Sequence, residues 1–563
     1  MSIRIALGQI NPTVGDLVGN TKKIVSFIKK AKGKKVDIVV FPELAICGYP
    51  PEDLLLKKHF VDDNLFFLKS IVKETLNITA IVGFVDRDKK NNIYSAAAII
   101  NNKKLKGVYH KMEFPGYSAF DEKRYFTHGK NNQIFSAAGI DFGVTICKDI
   151  QNPNGPYLQQ SKAGAQVLIN LSASPYHAQK HNQRKKVLSE RAKKTKCFVC
   201  YVNMVGGQDD LVFDGISFVF DPKGKLIASG AEFEEELIII DIPIIKSKRE
   251  KSEKLKRTVI SKKIDPTKKP PIKKHITPRM SYEQEIYNAL ITGARDYIKK
   301  NGFKKVLIGL SGGIDSALVT TIAVDAIGRE NVIGVSMPSV YSSKATQRDA
   351  KVLAKNLGIR LIEIPINSIF NVFKSALSKE FKKAKTGIAQ ENMQARIRGN
   401  ILMSLSNKSG WLVLSTGNKS ETSVGYCTLY GDMVGGFNVL KDVPKQLVYR
   451  LSNFRNKEAE YNLIPESIIK RPPSAELKPN QKDSDSLPAY PMLDQILKDY
   501  VEEDKGFEAI KRIRKHPRIV KKVIEMVDKN EYKRRQAAPG IKITPKAFGR
   551  DRRMPITNKY KEC

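Results

Sequence analysis

The chain has 563 residues, too many for a single hydrophobic core, so two or more domains are expected. Apolar content of 41% is ordinary for globular protein and no apolar run is long enough to cross a membrane. The formal charge of +39 suits an anionic partner, but lysine is spread over the whole length alongside Ile and Asn, as a low-GC genome produces, so charge alone names no function. The start, MSIRIALGQINPTVGD, lacks a signal-peptide apolar core. Six dispersed cysteines do not make a disulfide framework. Both features predict a cytoplasmic protein.

From the start to residue 245, short apolar runs alternate with polar helical stretches. Strands are expected at Ile3–Leu7, Asp37–Phe41, Ile78–Gly83, Ser95–Ile100, Val144–Cys147, Val167–Leu171, Cys197–Asn203 and Leu237–Ile240. The pattern predicts a layered α/β domain. Three reactive residues fall where strands end: Glu43 after DIVVF, Lys111 after LKGVYH and Cys147 after GVTI. A thiol needs a base to become a thiolate, which Glu43 supplies. Lys111 and the backbone N–H of residue 148 are placed to stabilise an oxyanion. Cys197 and Cys200 form a CxxC, but CFVCYVN is apolar and reads as a buried strand with the two thiols on opposite faces, so no metal or redox role is expected.

Residues 246–280 are rich in Lys and Pro and read as a linker or exposed strap. A second domain, 281–563, begins at the capping-box pair Ser281 and Gln284. A helix ending at Asn301-Gly302 is followed by strand 304–310, helix 315–327, strand 331–336, helix 343–357, strand 360–366, helix 388–408 and strand Trp411–Leu414. Strand–helix alternation with short loops predicts a doubly wound parallel sheet, whose ligands sit at the carboxyl ends of strands. VLIGLSGGIDSAL puts two glycines at such an end, just before a helix, where backbone N–H groups can approach an anion. Ser311 and Ser316 are placed to donate to phosphate oxygens, and Asp315 either faces a bridging Mg²⁺ or caps the helix. This is neither a Walker loop nor GxGxxG. The polar, Pro-bounded segment 476–488 suits a lid over the site.

SGGxDS after a strand resembles the ATP pyrophosphatases. FPELAICGYPPEDL, YHKMEFPGYSAFDEKRYF, VTICKDI, NLSASPYHAQK and YVNMVGGQDDLVFDG resemble the nitrilase superfamily and its Glu–Lys–Cys triad. Both halves together resemble the glutamine-dependent NAD⁺ synthetase family over nearly the whole chain, through stretches such as ENMQARIRGNILMSLSN, STGNKSETSVGYCTLYGDMVGGF and NEYKRRQAAPGIKIT.

The resemblance implies an N-terminal αββα nitrilase-like domain and a C-terminal Rossmann-like ATP pyrophosphatase domain. It implies ATP-dependent amidation of deamido-NAD with ammonia from glutamine, through an adenylated intermediate. Glu43, Lys111 and Cys147 become the catalytic residues of the glutaminase, and Tyr117, Ser174 and Lys180 match positions that hold glutamine. Gly309, Leu310, Ser311, Gly312, Gly313, Ile314, Asp315 and Ser316 match an ATP-phosphate loop, with Thr416 also on ATP. Asn392, Glu421 and Lys533 match positions for deamido-NAD, and Asp315 and Glu421 match positions for Mg²⁺. Arg396 and Arg398 lie in the same motif as Asn392. A homo-oligomer is expected, with no nucleic-acid or membrane partner. The chain departs from the family in having Lys148 where Glu is common after the cysteine, and Asp209-Asp210 where Asp-Glu is usual. A tRNA-modifying ATP pyrophosphatase is the alternative reading; SGGIDS and the positive charge fit it, and the nitrilase-like half does not.

Overall fold

In a computed structural model, residues 2–115, 121–244, 254–261, 269–272, 275–381 and 387–562 are described. The chain divides into two compact units, Met1–Gln208 with Val212–Met280, and Asp209–Leu211 with Ser281–Cys563. None of the described helices is long and apolar enough to cross a membrane.

The first unit contains β1 (Ser2–Gln9), β2 (Ile38–Val40), β3 (Thr79–Arg87), β4 (Ile93–Asn101), β5 (Lys104–His110), β6 (Gln133–Ala137), β7 (Ile140–Ile146), β8 (Val167–Ser172) and β9 (Phe198–Asn203). A hairpin of β10 (Val205–Gln208) and β11 (Leu211–Asp214) follows, then β12 (Phe218–Phe220), β13 (Leu226–Ser229), β14 (Glu236–Pro243) and β15 (Lys256–Val259). They build a six-stranded sheet, β14-β1-β2-β3-β4-β5, and a seven-stranded sheet, β13-β12-β9-β8-β7-β6-β15. Both are mixed: β1, β2 and β3 run parallel in one, and β7, β8 and β9 in the other.

Period-2 alternation explains how the sheets stack. Ile3, Ile5 and Leu7 from one sheet and Val144, Ile146, Ile169 and Leu171 from the other share one core. Leu168, Val199 and Tyr201, on the outer face of the second sheet, pack with Leu188 and Ala192 of the helix Lys180–Thr195. The result is the expected αββα layering. Cys200 lies in the inter-sheet core and Cys197 in the outer one, so the two thiols face opposite ways, as their spacing requires.

The strap expectation needs revision in part. Within 246–280, Lys256–Val259 forms β15 and pairs in parallel with β6, and Ile260 reaches the inter-sheet core. An edge strand is paired on one side only, so KRTV joins it with its lysine and arginine in solvent.

In the second unit, Ser281 Oγ accepts the Gln284 N–H at 3.3 Å and starts the helix Tyr282–Lys300. The strands are β16 (Val306–Gly309), β17 (Val332–Ser336), β18 (Arg360–Glu363), β19 (Leu412–Ser415) and β20 (Phe437–Asn438), ordered β18-β17-β16-β19-β20 and all parallel. The helix Ile314–Ile327 is apolar on nearly every face and largely buried. Chain order reverses between β16 and β19, and a doubly wound sheet opens its ligand crevice at the carboxyl ends of such a pair.

Candidate active sites

In the first unit, β2, β5 and β7 each end beside one of the expected residues. The loop after β2 crosses close over β3 because Gly83 has no side chain. A Cβ there would lie 2.2 Å from the Pro42 carbonyl oxygen and 2.5 Å from the Leu44 nitrogen. That approach drives Glu43 into the core, where it is 1% exposed. Lys111 follows β5 and is equally buried. Its Nζ donates to Glu43 Oε1 at 2.8 Å and to Glu122 Oε2 at 2.6 Å. Glu43 Oε1 also accepts the Ser95 hydroxyl at 3.1 Å, whereas Oε2 makes no hydrogen bond.

Cys147 joins β7 to the short helix Lys148–Gln151. Its φ of 43° and ψ of −99° fall outside every region that an L-residue favours, a strain that surrounding contacts must sustain. The Cys147 N–H donates to the Leu171 carbonyl at 2.7 Å, which ties the turn to β8. The Ser172 hydroxyl interacts with the thiol.

These groups set one another's protonation. Burial pushes Glu43 up to about 7; Lys111 opposes the rise and Glu122 adds to it. Burial also disfavours the Lys111 ammonium, but Glu122 and Glu43 override it and hold the lysine protonated. The Cys147 thiol is pushed up to about 11 by burial and the Glu43 charge, against Lys111. The resting centre therefore pairs a neutral thiol with a base of near-neutral pKa and a fixed ammonium. Lys148, the departure after the cysteine, turns its Nζ to Gln151 Oε1 at 3.4 Å.

Of the residues matched to glutamine, Ser174 is buried and its N–H donates to Asn203 Oδ1 at 2.8 Å. Lys180 Nζ donates to the Pro175 carbonyl at 2.5 Å. Tyr117 lies outside the described residues. Glu122 was missed from the sequence, because DEKR at 121–124 has the composition of a solvated turn and only its fold places Glu122 on Lys111.

In the second unit a cavity of about 320 Å³ opens at the ends of β16 and β19. Gly309, Leu310, Ser311, Gly312, Gly313, Ile314, Asp315 and Ser316 line it together with Thr416 and Glu421. Gly312 has φ +80°, and a Cβ there would meet the Thr346 carbonyl oxygen at 2.2 Å, so only glycine fits. The helix Ile314–Ile327 starts at this loop with no side-chain cap, which leaves its first N–H groups and positive dipole end for an anion.

Asp315 Oδ1 accepts Asn418 Nδ2 at 2.9 Å, and Lys445 Nζ bridges Asp315 Oδ2 and Glu421 Oε1. Burial pushes Glu421 up to about 7; Lys445 opposes this, and Asp315 and Asp483 add to it. Arg398 and Arg471 also line the cavity. Burial lowers the Arg398 guanidinium to about 10 against the pull of Glu476. The desolvated Arg398 cation favours a polyanionic ligand. Glu476, Leu477 and Asp483, from the segment expected to be a lid, form part of the wall. Asp483 accepts the Tyr490 hydroxyl at 2.8 Å.

Asn392 and Lys533, expected on the dinucleotide side, and Arg396 from the same motif as Asn392 lie outside this wall. Asn392 Oδ1 accepts the hydroxyl of Thr428, a wall residue, at 2.8 Å. Arg396 is exposed and its Nε donates to the Leu429 carbonyl. Lys533 Nζ donates to the carbonyls of Gly425 and Cys427, at 2.7 and 2.9 Å, past the end of the helix Lys419–Val424.

Comparison with known proteins agrees with this division. The carbon–nitrogen hydrolase family matches residues 4–248, and the NAD synthase family matches residues 286–537. A glutamine-dependent NAD(+) synthetase of Thermotoga maritima is 46% identical, over 100% of this chain and 99% of its own. That of Aquifex aeolicus is 45% identical, over 99% and 100%. The solved structure of the Acinetobacter baumannii glutamine-dependent NAD+ synthetase in complex with ADP is 41% identical, covers 99% of both chains and superposes with a TM-score of 0.76. A Cytophaga hutchinsonii synthetase, 21% identical with a TM-score of 0.83 over 99% and 98% of the two chains, shares the fold. With identity at this level along its whole length, the chain belongs to the glutamine-dependent NAD(+) synthetase family.

Proposed function

We propose that the chain amidates deamido-NAD to NAD with nitrogen taken from glutamine, and that ATP activates the carboxylate by adenylation. In the first unit, Cys147 Sγ attacks the side-chain amide carbon of glutamine and Glu43 Oε2 takes the thiol proton. Lys111 and the Lys148 N–H stabilise the oxyanion. The amide nitrogen leaves as ammonia after receiving the proton from Glu43. Water, deprotonated by Glu43, then hydrolyses the thioester to glutamate and restores the thiol. Ser174, Lys180 and Tyr117 hold the substrate.

In the second unit, the deamido-NAD carboxylate attacks the α-phosphorus of ATP, pyrophosphate leaves, and ammonia displaces AMP from the acyl adenylate. A carboxylate is a poor electrophile, and AMP gives it a leaving group. The Gly309–Ser316 loop and the following helix terminus receive the phosphates, while Arg398 offsets part of their charge.

Asp315 and Glu421 suit Mg²⁺: with Asp483 they set three carboxylates against the single ammonium of Lys445. Among the described residues no cluster of three or more His, Cys, Asp or Glu has the geometry to hold an ion, so phosphate oxygens would complete the shell. Bound there, Mg²⁺ would neutralise polyphosphate charge. The proposal includes a cytoplasmic homo-oligomer, which sedimentation and fractionation test.

The observation that carries the glutaminase reading is Glu43 Oε2, a buried carboxylate oxygen without a hydrogen bond, on a base electrostatically coupled to the Cys147 thiol. Cys147→Ala tests it. Glutamine-supported NAD synthesis should vanish and ammonia-supported synthesis should persist; equal loss of both contradicts the two-site reading.

A further inference from the structure

Lys111 and Cys147 stand on different sheets, at the ends of β5 and β7. Their relative placement therefore depends on whatever joins those two ends. Among the described residues, one buried carboxylate bonds to both ends. Asp149, on the short helix after Cys147, is fully buried. Its Oδ1 accepts the backbone N–H groups of Met112 and Glu113, at 3.1 and 2.7 Å. Its Oδ2 accepts the Ile146 N–H at 2.9 Å and the Tyr109 hydroxyl at 2.8 Å.

Three of these donors come from residues 109–113, on both sides of Lys111. The fourth belongs to the residue before Cys147. The Ile146 bond closes a turn from 146 to 149 that encloses the strained backbone of Cys147. A carboxylate that served only to cap its own short helix would be saturated by local N–H groups; Asp149 spends most of its acceptor capacity on the other sheet.

We propose that Asp149 is the positioning residue of the glutaminase centre. It fixes the separation and orientation of Lys111 relative to Cys147, and it holds the Cys147 backbone in its unfavourable conformation. The inference rests on the reading of Cys147 as nucleophile, and it adds a residue that touches neither substrate nor thiol. A shift of about 1 Å between reacting groups costs on the order of a hundredfold in rate, which sets the expected effect.

Asp149→Asn tests it with almost no change in volume. The amide has one oxygen, so its NH₂ must face either the Met112 and Glu113 N–H groups or the Ile146 N–H, donor against donor, while the Tyr109 hydroxyl can turn to accept. For the purified full-length chain, kcat for glutamine hydrolysis should fall about a hundredfold while KM stays within about threefold. Alkylation of Cys147 by iodoacetamide, followed by peptide mass spectrometry, should slow at least about tenfold. A purely structural residue would lower the melting temperature and leave both values of the folded enzyme unchanged; that result overturns the proposal. If Asp149→Asn fails to fold, Tyr109→Phe removes a single donor. Its kcat should drop about three- to tenfold at constant KM, and a wild-type kcat would refute the proposal. Were the unaltered chain unable to hydrolyse glutamine, the nucleophile reading would fail, and the alkylation rates would still decide the role of Asp149.

Discussion

Glu43→Gln removes the base from the proposed glutaminase while leaving its surroundings nearly intact. Gln keeps an oxygen that can accept from Ser95 and Lys111, and Lys111 keeps Glu122 at 2.6 Å, so the ammonium that supports the oxyanion stays charged and paired. What disappears is the proton acceptor at Oε2. General-base catalysis is worth about 10²–10⁴-fold, so we expect a loss near 10³-fold, or about 4 kcal/mol of barrier. One effect runs the other way. The Glu43 charge helps push the thiol up to about 11, and its removal brings the thiol down, so thiolate becomes easier to form unaided. The residual rate should therefore climb with pH. Glutamate release measures the loss, and ammonia-supported NAD synthesis on the same preparation is expected to match the unaltered chain. A Glu43→Gln variant that keeps more than about a tenth of the glutaminase rate, or that loses both activities together, would refute Glu43 as the base.

Two further outcomes follow from the geometry. Burial raises Glu43 to about 7, so the carboxyl is protonated and cannot act as base below that pH, and is ionised above it. The rate of glutamine hydrolysis should rise through an acid limb centred near 7, and the limb should be absent from the residual activity of Glu43→Gln; an acid limb centred near an ordinary carboxylate value contradicts the account. Gly312→Ala forces a Cβ to within 2.2 Å of the Thr346 carbonyl at φ +80°. The strain of about 1–3 kcal/mol displaces the phosphate loop, so NAD synthesis should fall at least about tenfold with either nitrogen donor while glutamate release is kept; retention of full synthesis would remove the loop from the phosphate site.

What the sequence made legible was local. Ser281 with Gln284 marks the observed cap, and helix 315–327 is found one residue longer at its start, as Ile314–Ile327. Glu43, Cys147 and the SGGIDS loop could be located because each follows an apolar strand and precedes a break in pattern, and Lys111 because it follows the end of LKGVYH. KRTV, missed as a strand, carries exposed Lys256 and Arg257 at a sheet edge, and it pairs with β6, far earlier in the chain. The partners of the catalytic groups were hidden as well. Glu122 lies in a charged turn and Asp149 in a short helix, and neither has a local pattern that points to Lys111 or to Met112. Lys533, matched by resemblance to a deamido-NAD position, donates to two backbone carbonyls just after a helix, contacts that no local pattern in the sequence announces.

The central claim is that one chain moves nitrogen from a glutamine amide to an adenylated pyridine carboxylate. Incubation with amide-¹⁵N glutamine, deamido-NAD, ATP and Mg²⁺ tests it directly. The account predicts ¹⁵N in the carboxamide of NAD, with AMP, pyrophosphate and glutamate formed alongside. ATP consumption without AMP, or NAD that carries no label when glutamine is the sole nitrogen source, would contradict it.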